Sequence, residues 1–241
     1  MNRKLISNLA TYHFAPTEKN KQDLIKEGIT KNIWVVGNTV IDALSKTYSA
    51  LPTESPINSI HVDNTKNIIL VTGHRRENKG IPFKNLCDNL IALSKNPNNH
   101  IIFPLHLAPE NKGIAHSRLS NIPNIQLIDP QPYPNFVWLM KQATLIITDS
   151  GGIQEEAPFL EKPVIVTRKT TERTEALSKN CLLIELKDFL LETTISHILN
   201  NKEKLKKLSQ KCTYYGDGTT STQIQEILVR ELTPQQSLIP S

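Results

Sequence analysis

Short apolar runs rich in isoleucine and valine recur along the chain. They are IWVVG (33–37), NIILVTG (67–73), HIIFPLH (100–106), NIQLID (124–129), TLIITD (144–149), PVIV (163–166) and CLLIEL (181–186). None alternates apolar with polar residues. Continuous runs of this length suit strands buried on both faces, as in parallel sheets. Stretches of helical period lie between them, at 83–94 and 136–143. Alternating strands and helices predict an α/β fold with a doubly wound parallel sheet.

The pattern also divides the chain. Residues 51–66, with Pro52, Pro56 and many small polar residues, read as a linker. Residues 67–200 read as one complete βαβ domain. Residues 201–241 read as C-terminal helices and a loose tail. Residues 1–50 hold a helix-like NRKLISNLA, a very short strand at YHFAP, a helix from Thr17 to Gly28 and then IWVVGNTVIDAL. Thr17 after a proline starts a helix and Gly28 stops one. Two short strands and their helices are too little for a separate core. The segment therefore reads as the last piece of a domain.

Composition narrows the function. The chain has 241 residues, with 28 Lys and Arg against 23 Asp and Glu, a formal charge of +5. Its one basic cluster, NKEKLKKLSQK, fits the solvated face of a helix. Aromatic residues make up 5%, too few for a nucleic-acid surface with stacking side chains. Cys87, Cys181 and Cys212 are widely spaced and form no metal-type motif, which fits a reduced, cytoplasmic setting. No apolar run reaches the ~18 residues of a membrane span.

The chemistry concentrates where strands end. TLIITD runs into Ser150, Gly151 and Gly152, followed by Gln154, Glu155 and Glu156. In an open parallel sheet, ligands bind at the carboxyl ends of strands beside helix N-termini. A helix N-terminus offers free N–H groups and partial positive charge, which suit an anion. Glycines let a phosphate approach the backbone, and Ser150 adds a hydroxyl. Acids one turn in complement the helix dipole; alternatively, one accepts hydrogen bonds from a sugar diol. An ordinary helix cap explains DSGG alone equally well. Two further loops change the balance. TGHRRENKG (72–80) and TRKTTERTE (167–175) also follow strands, and bring His74, Arg75, Arg76, Arg168 and Arg173 to one sheet edge. Guanidinium forks match phosphate oxygens, so the shared edge points to a phosphate-bearing ligand.

These strings together resemble the non-hydrolysing UDP-N-acetylglucosamine 2-epimerases. The resemblance rests on HFAPTE (13–18), VVGNTVIDAL (35–44), VTGHRREN (71–78), FPLHLAP (103–109), the stretch from YPNFVW to KTTER (133–173) and YGDG (215–218). It implies a GT-B-like fold: two Rossmann-like domains face a cleft, the second holds the nucleotide, and the C-terminal helix crosses back to the first. It also implies interconversion of UDP-GlcNAc and UDP-ManNAc. The proton at sugar carbon 2 is abstracted, UDP leaves, and UDP adds back to a glycal after protonation on the other face. No metal or other cofactor is implied. Carried over by motif, Ser150, Gly151 and Gly152 contact the diphosphate, Glu156 the ribose hydroxyls, and Arg173 the uridine or phosphate. His74 matches the active-site histidine, and Arg75 is a phosphate ligand by the same loop logic. His106 matches a histidine tied in some members to a second, activating UDP-GlcNAc, and reads equally well as a hydrogen-bonded strand-end residue.

The chain departs from the family pattern at its start. It opens near the end of the first domain, so the first glycine-rich loop and the carboxylates credited with proton transfer are not in it. Thr174 stands where the family has proline. Epimerisation needs a group to remove and return a proton on each face. The chain alone is therefore expected to be inactive, working with a separately encoded N-terminal half or surviving as a relic; the family implies a homodimer. The competing readings are a UDP-sugar-binding module without turnover, a hydrolysing relative and, least supported by GHRREN and SGGIQEE, a GT-B glycosyltransferase.

Overall fold

A computed structural model describes residues 2–57, 60–73, 75–105, 109–187 and 189–233. The described residues form two compact units, one of residues 1–46 with 213–241 and one of residues 47–212.

The first unit holds α1 (Asn2–Leu9), β1 (His13–Ala15), α2 (Glu18–Lys26) and β2 (Ile33–Val35). Most of α3 (Thr39–Ser49) belongs to it as well. β1 and β2 pair in parallel, with Phe14 opposite Trp34 and their rings stacked. Thr17 caps α2 by accepting from the Asn20 N–H, and Gly28 ends it at φ +92°. Two quoted motifs meet each other here. A Cβ on Gly37 would lie 2.6 Å from Thr220 Oγ1 and 2.8 Å from Gly216 Cα, so only glycine fits. The buried Asp42 carboxylate accepts from the N–H groups of Thr220 and Ser221 at 3.2 and 2.7 Å. It thereby closes orphan donors at the start of the last helix.

The second unit is the parallel sheet the apolar runs predict. In chain order it contains β3 (Asn67–Thr72), α4 (Ile81–Ser94), β4 (Asn99–Pro104), α5 (Pro109–Leu119), β5 (Ile125–Ile128) and α6 (Tyr133–Gln142). It continues with β6 (Leu145–Thr148), α7 (Gly151–Phe159), β7 (Val164–Val166), β8 (Cys181–Leu183), α8 (Leu190–Leu199) and α9 (Lys202–Leu208). α10 (Thr220–Leu232) returns to the first unit. The strands lie in the order β5-β4-β3-β6-β7-β8, all parallel. The chain winds outward one way from β3 and the other way from β6. The boundary between these strands is the switch point at which such sheets bind ligands.

The continuous runs are buried for the expected reason. Ile69, Leu70 and Val71 of β3 are fully buried, as are Ile146 and Ile147 of β6 and Val164 to Val166 of β7. Phe83, Leu86, Leu90 and Leu93 of α4 cover one face together with Leu191, Ile195 and Ile198 of α8. Truncating such a residue to alanine costs about 2–5 kcal/mol. Two runs pair over less length than their composition suggests. IWVVG pairs only over Ile33–Val35 and CLLIEL only over Cys181–Leu183. β8 is an edge strand with a single neighbour, and the chain leaves it after three residues. Residues 209–219 interrupt the C-terminal helices, with Gly216 and Gly218 at positive φ.

Candidate functional site

The loops after β3, β6 and β7 meet at the carboxyl edge of the sheet, held by polar groups of their own. Thr72 and Thr148 end adjacent strands with their hydroxyls 2.9 Å apart. Asp149 is fully buried. Its Oδ2 accepts from the Arg75 N–H and from Asn78 Nδ2, each at 3.0 Å. Asn78 donates its other hydrogen to the Thr167 carbonyl, also at 3.0 Å. One asparagine thus ties all three loops together. Beside it, Arg168 pairs with Glu77 at 3.2 Å and Glu172 at 3.0 Å. Arg168 is 9% exposed and braces the loops through these two carboxylates.

The tip of α7 is arranged differently. Ser150 is its N-cap residue, but its side chain makes no capping bond. Among the described residues, the first-turn N–H groups at Gly151 and Gly152 therefore have no side-chain acceptor. The Arg173 guanidinium lies against Gly151, where an added Cβ would meet its Cζ at 3.1 Å and Nη1 at 3.3 Å. Arg173 also donates to Glu155 Oε1 at 2.9 Å and pairs with Glu172. At Gly152 a Cβ would meet only Glu156 Oε2 at 3.8 Å and Ser150 Oγ at 4.0 Å, which are ordinary contacts. The described protein does not itself require a glycine there.

Glu156 stands one turn into α7, 6% exposed. Its Oε1 accepts from the Tyr133 hydroxyl at 2.5 Å. Burial pushes the Glu156 carboxyl above the usual carboxylate range; the Tyr133 hydrogen bond opposes this and the charge of Glu155 adds to it. Burial and the bond to Glu156 push the Tyr133 hydroxyl upward too, so it stays a donor. α7 has one flaw in its ladder: Pro158 has no N–H to give the Gln154 carbonyl. The Cys181 thiol lies 3.9 Å from that oxygen, and burial pushes this thiol up to about 12, so it remains protonated. All three cysteines are buried, and none forms a disulfide.

A sequence-family model described as UDP-N-acetylglucosamine 2-epimerase matches residues 1–229. The chain belongs to this family. The epimerase of Salmonella typhimurium is 42% identical over 236 residues, covering 94% of this chain and 63% of the relative. That of Campylobacter jejuni is 41% identical over 243 residues, covering 95% and 63%. Among solved structures, the Neisseria meningitidis epimerase bound to UDP-GlcNAc aligns with a TM-score of 0.90 at 38% identity, covering 95% of this chain and 64% of that one. The Methanocaldococcus jannaschii epimerase in complex with UDP-GlcNAc and UDP aligns at 0.76 and 30% identity, covering 92% and 62%. The chain thus spans about 63% of the length of the curated epimerases it matches. The fold is the GT-B-like α/β architecture of these epimerases.

Within this chain, Ser150, Gly151, Gly152, Glu156 and Arg173 gather at the tip of α7, with Arg75 on the adjoining loop. His74 and His106 lie outside the described residues. Among the described residues, no group of three or more His, Cys, Asp or Glu is placed to hold a metal ion. No described helix is long and apolar enough to cross a membrane. Three residues that build the site carry no motif signal by themselves. Asn78 and Asp149 sit inside GHRREN and DSGG without an evident task, and Tyr133 lies 23 residues before the acid it contacts.

Proposed function

We propose that this chain is the UDP-holding part of a UDP-GlcNAc 2-epimerase. The diphosphate sits on the tip of α7, against Ser150 and the backbone of Gly151 and Gly152. Arg173 and the Arg75 loop flank it, Glu156 accepts the ribose hydroxyls, and His74 acts beside the departing oxygen. The observation that carries this reading is Gly152, a glycine for which the described residues give no packing reason, with the Ser150 hydroxyl and the Glu156 Oε2 as the described neighbours of an added Cβ. An unfilled helix start, a buried carboxylate and a nearby guanidinium match phosphate, diol and charge respectively. Relatives whose structures contain UDP-GlcNAc or UDP support the choice of ligand.

The reaction needs proton transfer at carbon 2 on both faces of the sugar. At this edge Asp149, Glu77, Glu155 and Glu172 each hold a neighbouring loop or arginine. Glu156 is assigned to the ribose. We assign the carbon-2 carboxylates to the part of the relatives' length that this chain does not span, and an N-terminal half carrying them is the partner this reading calls for. Calorimetry with UDP, followed by NMR of UDP-GlcNAc incubated with the chain, tests both parts. Uptake of UDP without formation of UDP-ManNAc is expected. Folded protein that takes up no UDP sinks the binding claim, and UDP-ManNAc formed by this chain alone sinks the claim about the carboxylates.

A further inference from the structure

Tyr133 opens α6 on the same sheet edge as the α7 tip, and although it begins the stretch 133–173 that carries the family resemblance, that stretch assigns it no role. Its 2.5 Å contact divides the Glu156 carboxylate into two unlike oxygens. Oε1 is engaged by the hydroxyl. Oε2 has no hydrogen-bond partner among the described residues and borders the space beside Gly152. A carboxylate oxygen offers about two lone-pair directions, enough to accept from both hydroxyls of a cis diol. An unheld carboxylate turns about its last bond and spreads its acceptors over a wider arc. We propose that Tyr133 is a positioning residue for nucleotide selection. By holding Oε1 it presents Oε2 alone to the sugar, and so sets the preference for a ribonucleoside diphosphate over its 2′-deoxy counterpart.

The inference rests on the UDP-binding reading and adds the sugar selectivity of that seat. Its chemistry has two parts. A diol donates, and an ionised carboxylate accepts more strongly than a neutral carboxyl does. The groups facing Glu156 are Tyr133 from α6 and Glu155 on its own helix, the latter paired with Arg173. Burial and Glu155 both disfavour the charge, and only the tyrosine hydroxyl favours it. Tyr133 thus keeps Glu156 a pure acceptor as well as aiming it. A ligand lacking the 2′-hydroxyl leaves part of a buried acceptor unmatched, the situation in which sites reject an analogue most strongly.

The test is calorimetric titration of UDP and 2′-deoxy-UDP into the wild-type chain, Tyr133→Phe and Glu156→Gln, between about pH 5 and pH 8. Wild type should prefer UDP by about tenfold or more. Tyr133→Phe should lose about tenfold in UDP affinity and less than about twofold for 2′-deoxy-UDP. Its acid-side fall in UDP affinity should move to higher pH, because the charged form has lost its one supporter. Glu156→Gln should lose the part of the acid-side fall that separates UDP from 2′-deoxy-UDP, keeping only what protonation of the terminal phosphate, with a second pKa of about 6, brings to both nucleotides. Equal losses for both nucleotides with the pH profile unmoved, or no loss, would overturn the inference. If Tyr133→Phe does not fold, wild type decides: equal affinity for the two nucleotides overturns the inference, and a preference that fades toward low pH supports it. Absence of UDP uptake by folded wild type would instead overturn the functional reading beneath it.

Discussion

The two ends of the six-stranded sheet solve the same problem with different chemistry. Both gather polar side chains where strands start or stop. At the amino end these are mainly amides. Asn67 donates to Asn99, Asn99 to the Leu93 carbonyl, and Asn124 to the carbonyls of Ser94 and Asn99, all within 2.9–3.1 Å. Gln126 donates to the His61 carbonyl at 2.7 Å and lies 2.6 Å from His100 Nε2. Amides carry donor and acceptor together, so they close on nearby backbone. At the carboxyl end the groups are carboxylates and guanidiniums. A carboxylate only accepts, so it needs donors from other loops, and those bonds set the loops' positions. Asp149 and Arg168 use their capacity this way, whereas Glu156 keeps an oxygen open. One end seals the sheet; the other ties three loops together beside the α7 tip.

Removing the central tie at the carboxyl end should have the largest effect. Asp149→Ala strands the Arg75 N–H and the Asn78 amide in a buried place. Losing two charge-assisted bonds should cost about 3–4 kcal/mol in urea unfolding and abolish UDP uptake. Its counterpart at the amino end, Asn99→Ala, should cost about 1–3 kcal/mol and leave UDP affinity unchanged. A UDP defect in that variant would break the contrast.

Glu156→Gln separates stability from ligand. The folded carboxyl sits above its unfolded value, so its contribution to stability is present at low pH and lost as pH rises through the folded value. At neutral pH the charge is therefore a burden, and the glutamine variant should unfold at a higher temperature than wild type. Its UDP affinity should fall about tenfold. A variant that is both less stable and unchanged in binding would show that Glu156 belongs to the scaffold.

The smallest effect concerns His100. Burial, helped by Lys66 and His61, holds its imidazole below the ordinary histidine value. The unfolded chain then binds the proton first, and stability falls as pH drops through the unfolded value toward the folded one. His100→Gln should flatten this acid-side decline in thermal unfolding while leaving UDP titrations unaltered.

How much was legible beforehand follows from what each feature depends on. The strands were readable because burial on both faces leaves an unbroken apolar run, as in Ile68 to Val71. The α7 tip was readable because glycines after a strand have few uses. Lengths at the sheet edge were less so: nothing in CLLIEL says that β8 has one neighbour. Tyr133, Asn78 and Asp149 were not legible, because their tasks exist only once β3 lies beside β6 and α6 opens on the same edge as α7. Gly37 and the YGDG turn show the opposite case, motifs whose glycines serve each other's packing.

The most direct test is Gly152→Ala, followed by thermal unfolding and UDP calorimetry on the same preparation. A methyl there meets only ordinary contacts, so the melting temperature should hold or rise slightly, since alanine suits a helix better than glycine by up to about 1 kcal/mol. UDP affinity should drop at least about tenfold, because the methyl occupies the space of a phosphate. Unchanged affinity in a fully folded variant would contradict the claim that the tip of α7 is a nucleotide seat.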